Sequence, residues 1–191
     1  ARAVFENGEV WRLFTALFTH SDLGHLASNS PLFLIFGWFL HAYFGLMVFP
    51  LAAVVIGALS NLLTIYFYDP DSHLVGASGM LYGMVSLWLV LYVRFDTDFT
   101  VPKRTFRAIG VSLLMLFPTT FHATTSYLAH AWGFLLGILF GFVLMRFVKV
   151  TSPIPVPALE EREAASARRV SLLPPEGADA SPEEPPPRVL H

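Results

Sequence analysis

No cysteine occurs among the 191 residues, which excludes disulfides, thiol nucleophiles and cysteine-ligated metals, and leaves the redox compartment unread. Charge is scarce as well. Asp, Glu, Lys and Arg make up 14% of the chain, against roughly 25% in soluble domains. None of the four occurs between Leu23 and Tyr68, or between Ala108 and Met145. Gaps of that length, a hydrophobic share of 54% and a mean hydropathy of +0.58 exclude a soluble domain and indicate an integral membrane protein. A net charge of -2 gives no basic surplus for nucleic acid. From Thr151 onward Phe, Trp and Tyr are all missing, while nine of the 14 prolines are found there. Such a segment buries too little apolar surface to offset its ordering entropy. Residues 150–191 are therefore expected to form a disordered Pro-rich tail, with a transient charged helix over Ala158 to Leu173. Position 1 is alanine and no cleavable signal peptide is visible, so the chain is expected to begin inside a longer product.

What is present is a set of apolar runs long enough to cross a bilayer. The 46 residues from Leu23 to Tyr68 accommodate two crossings of about 20 residues each. These are expected as helices over His25 to Leu40 and Leu46 to Phe67, joined by a turn at His41 to Gly45. A third helix opens at Ser78 and runs to Val93, short of the ~30 Å hydrocarbon thickness, so its serine end should stop below the interface. Arg94 to Arg107 reads as a charged loop. The run from Ala108 to Met145 is broken at Pro118-Thr119-Thr120 and Thr124-Thr125-Ser126 into a fourth and a fifth helix. The fold class expected is thus all-α, a polytopic bundle of five transmembrane helices, with residues 1–149 as the membrane domain. Ten of the 12 Lys and Arg residues then fall on one side, which the positive-inside rule makes the cytoplasm. The tail would share that side, and residues 1–24, the Asp69 loop and the Thr-rich loop would lie opposite. Trp11, Arg12 and nearby aromatics suit an interfacial outer loop.

Three helix starts converge on the outer side: His25 and Asn29 on the first helix, Ser78 on the third, His130 on the last. Polar groups at membrane depth are expensive, so their convergence suggests a site. His130, Gly133, Gly137 and Gly141 form one stripe, and Gly79 and Gly83 a second, which permits close helix approach. An imidazole brought against the Ser78 hydroxyl could serve as general base and then general acid. Tyr82, one turn below Ser78, could orient that ring. Each signal also has a plainer reading. Gly76-Ala77-Ser78-Gly79 alone fits a packed helix start, His130 a packing histidine, His25 and Asn29 helix caps, and Trp11-Arg12 headgroup anchors. Asn61 and Ser86 read as interhelical hydrogen-bond groups. A metal site from His20, His25 and His73 is disfavoured, since the first two would face apart on a helix and no carboxylate accompanies them.

Taken together, Trp11-Arg12, His20-x4-His25-x3-Asn29, Gly76-Ala77-Ser78-Gly79 with Tyr82, and His130-Ala-Trp-Gly133-x3-Gly137 resemble the rhomboid intramembrane serine proteases over residues 9 to 145. The resemblance implies Ser78 as nucleophile and His130 as base, with His25, Asn29 and the Ser78 N–H as the oxyanion hole. Gly76, Gly79, Gly133, Gly137 and Tyr82 would be supporting residues. It implies no metal or organic cofactor, transmembrane proteins as substrates, and a multi-pass protein of a prokaryotic plasma (inner) membrane. The second half of the fourth helix and the Thr119–Thr125 loop would be the substrate gate. The family's basic core has six helices, and the first has no counterpart here. Two alternatives keep the bundle without the chemistry: an inactive rhomboid-like binding protein or chaperone of membrane helices, and a small transporter. The intact Ser78 and His130 argue against the former, and the absence of an intramembrane carboxylate or inverted repeat against the latter.

Overall fold

The computed structural model describes residues 1–116 and 125–150, together with 164, 165 and 168. Ala1–Thr151 is one compact unit and contains every residue discussed below. The expected tail, including Ala158 to Leu173, and the Thr-rich part of the expected gate lie almost wholly outside the described residues.

Seven α-helices occur among the described residues: α1 (Arg2–Phe5), α2 (Arg12–Thr15), α3 (Leu23–Phe44), α4 (Ala53–Phe67), α5 (Ser78–Phe95), α6 (Val101–Leu116) and α7 (Tyr127–Leu144). A 3-10 turn, Ala16–Phe18, follows α2, and a wide-turn segment, Met47–Ala52, leads into α4. The product is an all-α bundle. Four helical stretches are long and apolar enough to cross a membrane: Leu23–Phe44, Met47–Phe67, Ser78–Phe95 and Tyr127–Leu144. The fourth expected crossing corresponds to α6, whose 16 described residues are not among those four.

Local chemistry explains the boundaries and three corrections to the sequence reading. α3 starts before His25 because the Asp22 carboxylate accepts the His25 N–H at 2.9 Å, an N-cap that satisfies one free donor of the first turn. It runs through His41 to Phe44, beyond the expected turn, and stops at Gly45, whose φ of +77° suits a residue without a Cβ. The supposed loop up to Arg107 is helical from Val101. Pro102 is tolerated in a first turn, where its missing N–H would have no partner, and Lys103 and Arg107 lay their cations 4.5 and 4.2 Å over the Phe99 ring.

α5 is the central helix. Met80, Leu81, Met84, Val85, Leu87 and Leu91 are buried on it, and it packs against α3, α4, α6 and α7. The outer helices turn Leu34, Trp38, Leu135, Leu139 and Phe142 outward, the apolar exterior that a lipid solvent requires. The segment around α2 is anchored rather than loose. Leu13 and Leu17 are buried, the Asn61 amide donates to the Leu13 carbonyl at 2.9 Å, and the Gly76 N–H donates to the Ala16 carbonyl at 2.9 Å. Trp11, Phe14 and Phe18 remain exposed, and the Arg12 guanidinium lies 4.7 Å over the Trp11 ring. That is a short helical shelf rather than a plain loop.

Candidate functional site

Ser78 is the first residue of α5. The Leu81 N–H donates to the Ala77 carbonyl at 2.9 Å, so the N–H groups of Ser78, Gly79 and Met80 precede the helix's own bonding ladder and point out of its end. The chain reaches this end through Gly76, at φ +108°, a backbone conformation that side chains strain. The His25 imidazole packs on it: a Cβ at Gly76 would stand 2.6 Å from Cε1 and 2.9 Å from Nε2. His25 is thereby brought to within two residues of Ser78.

His130 enters from α7. Ser126 caps that helix, its hydroxyl accepting the Ala129 N–H at 3.2 Å, and the Tyr68 hydroxyl hydrogen-bonds the same oxygen at 2.8 Å. Ser60, fully buried on α4, donates to the Ala129 carbonyl at 2.7 Å. α5 and α7 meet at glycines. A Cβ on Gly79 would lie 3.1 Å from the Ala129 carbonyl oxygen and one on Gly83 3.1 Å from that of Gly133. A Cβ on Gly133 would collide with the Gly79 carbonyl, and one on Gly137 with the Gly83 carbonyl and the Ser86 hydroxyl. The two stripes seen in the sequence are therefore one backbone-to-backbone seam.

At the top of this seam the rings of Tyr82 and His130 stack, centroids 4.1 Å apart and planes 11° apart. Ser78 lies four residues before Tyr82, one turn up on the same face, so the face that carries the serine is the face that meets the imidazole. The Tyr82 hydroxyl donates to the Leu116 carbonyl at 2.8 Å, tying α5 to the end of α6. No hydrogen bond joins Ser78 to His130. Both His130 ring nitrogens are buried without a hydrogen-bond partner among the described residues.

The Rhomboid domain family matches residues 7–147. The chain belongs to the rhomboid family. Among its relatives, RHOMBOID-like protein 6, mitochondrial, of Arabidopsis thaliana is 31% identical over 150 residues, 75% of this chain and 47% of the relative. The putative rhomboid protease YdcA of Bacillus subtilis is 27% identical over 73% of this chain and 70% of its own length. Rhomboid protease GlpG of Haemophilus influenzae is 25% identical over 72% and 71%. The chain spans between about a third and a half of the length of the first plant relatives it matches. No solved structure matches.

The remaining candidate residues of this rhomboid-family chain lie on α3, on the segment before it and on the loop before Gly76. Asn29 is buried on α3, one turn after His25, but its amide nitrogen is engaged with His20 Nε2 at 3.2 Å. His25 Nδ1 faces the Ser21 hydroxyl at 3.2 Å, and the rings of His20 and His25 meet edge to face at 5.1 Å. The expectation that these two rings face apart is corrected: His20 lies before the helix begins, so helical spacing does not govern it. His73 is exposed on the loop before Gly76. Among the described residues no group of three or more His, Asp or Glu could hold a metal. Three contributors were missed in the sequence: His20 as partner of Asn29, Ser60 behind Ala129, and the Tyr68–Ser126 pair. Only Ser126, three residues before Ala129 at the start of an apolar run, carries a local signal, that of an N-cap.

Among the described residues outside the spanning helices, two carboxylates are shifted. Asp22 is held below the usual carboxylate range by the His25 N–H and the Ser21 hydroxyl, and Glu9 by its hydrogen bond from Arg12.

Proposed function

We propose that this chain is an intramembrane serine endopeptidase acting through a Ser78–His130 dyad on transmembrane segments of other membrane proteins. The observation that carries the reading is the stacked Tyr82–His130 pair one turn from Ser78, on a glycine seam that lets the two helix backbones touch. The imidazole takes the hydroxyl proton as Ser78 attacks the peptide carbonyl and returns it to the leaving amine. Tyr82 holds the ring plane, the part a carboxylate plays in a triad. The oxyanion takes hydrogen bonds from the Ser78 N–H, from His25 and from Asn29, each donor contributing about 3 kcal/mol in such sites. The Asn29 amide nitrogen carries two hydrogens, so one can go to the oxyanion while the other stays on His20. A substrate helix must unwind to reach the serine, so small or helix-destabilising residues near the cleaved bond are favoured. The site faces the outer side of a prokaryotic plasma membrane, and the cationic loops face the cytoplasm. Five crossings, with α6 as the fourth, complete the domain over residues 1–149.

The absence of a Ser78–His130 hydrogen bond favours one other reading, a rhomboid-fold protein that holds membrane helices without cleaving them. Apo catalytic hydrogen bonds are often long and tighten only with substrate, which keeps the protease reading first. Cleavage in proteoliposomes separates the two. Model transmembrane segments with a glycine- or proline-softened outer end should be cut by the wild type and left whole by Ser78→Ala. Capture of those segments by both proteins, with no cut by either, would establish the holding role instead.

A further inference from the structure

At the end of the bundle opposite Ser78, a cavity of about 520 Å³ opens among α3, the end of α5 and the middle of α6. Its wall is aromatic. Trp88 and Tyr92 stack at 5.1 Å, and Phe44 and Phe95 lie 5.9 Å apart beside them. Its rim carries both signs of charge. Asp96 and Asp98 are held in one tight turn, the Asp98 N–H donating to Asp96 Oδ1 at 2.9 Å, and Arg107 stands on α6. Among the described residues no salt bridge joins Arg107 to either carboxylate. Arg107 rests instead on the Phe99 ring, beside Lys103.

Opposite charges that line one cavity without pairing suit a ligand that is itself bipolar. Aromatic faces with adjacent carboxylates favour an ammonium group, and a guanidinium favours a phosphate. The cavity lies at the helix ends, where lipid headgroups are found, and exposed Val111 and half-buried Phe39 extend its wall along the apolar exterior, the direction acyl chains would take. We propose that this cavity binds one phospholipid with an ammonium-bearing headgroup, its ammonium between the aromatic wall and Asp96/Asp98 and its phosphate on Arg107. The site is separate from the Ser78 chemistry and stands or falls independently of it.

The test is native mass spectrometry of the full chain in maltoside micelles, with phosphatidylethanolamine and phosphatidylglycerol of identical acyl chains added in equal amounts. The two lipids share the phosphate and differ in the ammonium. The wild type should retain the ethanolamine lipid about fivefold better. The double substitution Asp96→Asn with Asp98→Asn, which keeps the turn's acceptor, should remove that preference, and Arg107→Gln should lower retention of both lipids alike. Soluble glycerophosphoethanolamine at the same concentration should not displace the lipid. Equal retention of both lipids by the wild type overturns the proposal. So does a preference that survives the double substitution, retention untouched by Arg107→Gln, or displacement by the soluble headgroup.

Discussion

Replacing Gly133 with alanine adds a single methyl where α7 lies against α5, and that methyl would overlap the Gly79 carbonyl. Ordinary contact for a Cβ begins near 3.4 Å, so the helices must separate by about 1 Å or more, since neither backbone can step aside by a rotamer change. Overpacking of this kind costs about 1–3 kcal/mol. The consequence for chemistry is larger than for stability. A displacement of ~1 Å between reacting groups lowers rates by about 100-fold, and Gly133 is one turn from His130. Gly110→Ala on α6 is the matched control, because a Cβ there meets nothing within 4 Å. Thermal unfolding in detergent and the rate of fluorophosphonate labelling, measured on both variants, read the two effects separately. The expected result is a modestly lowered melting temperature and about 100-fold slower labelling for Gly133→Ala, with Gly110→Ala close to wild type in labelling. Wild-type labelling by Gly133→Ala would refute the claim that the seam sets the position of His130.

Ser126→Ala removes both the α7 cap and the Tyr68 partner, and should destabilise by about 1 kcal/mol in thermal or denaturant unfolding. Tyr68→Phe should lose part of the same amount, and the double variant less than the sum. Asn61→Leu leaves the Leu13 carbonyl without its buried donor, a loss of about 1–3 kcal/mol, and should appear as faster proteolysis of residues 1–18 in micelles. The Asp22 cap gives a pH dependence of defined sign. Its folded pKa is depressed, so its contribution is fully present above the ordinary value of 3.8 and is lost as pH falls through the lower folded value. Wild type should therefore lose melting temperature below about pH 4 by more than Asp22→Asn, whose amide caps without titrating; parallel acid profiles would contradict the role given to the carboxylate.

The parts of this molecule that were legible in the sequence are those specified by short-range rules. Charge gaps marked the apolar helices, and the i, i+4 spacing of Gly133, Gly137, Gly79 and Gly83 showed two smooth faces that turned out to be one seam. Tyr82 one turn from Ser78 was readable for the same reason. What escaped depended on partners distant in the chain. Nothing near Ser60 indicates that its hydroxyl ends on Ala129, 69 residues away, or that Asn61 reaches Leu13 rather than a neighbouring span. The start of α6 was hidden because Pro102 and three cations read as a loop until Phe99 is seen beneath Lys103 and Arg107. His20 was judged by helical spacing that begins only after Asp22.

The central claim proposed here is that the Ser78 hydroxyl and the His130 imidazole work as a pair, and adduct mapping tests it most directly. Folded protein treated with a fluorophosphonate and analysed by tandem mass spectrometry should carry the phosphonyl group on Ser78. The adduct should vanish on prior heat denaturation and in His130→Ala. An unmodified Ser78, or modification that is equal in His130→Ala, would contradict it.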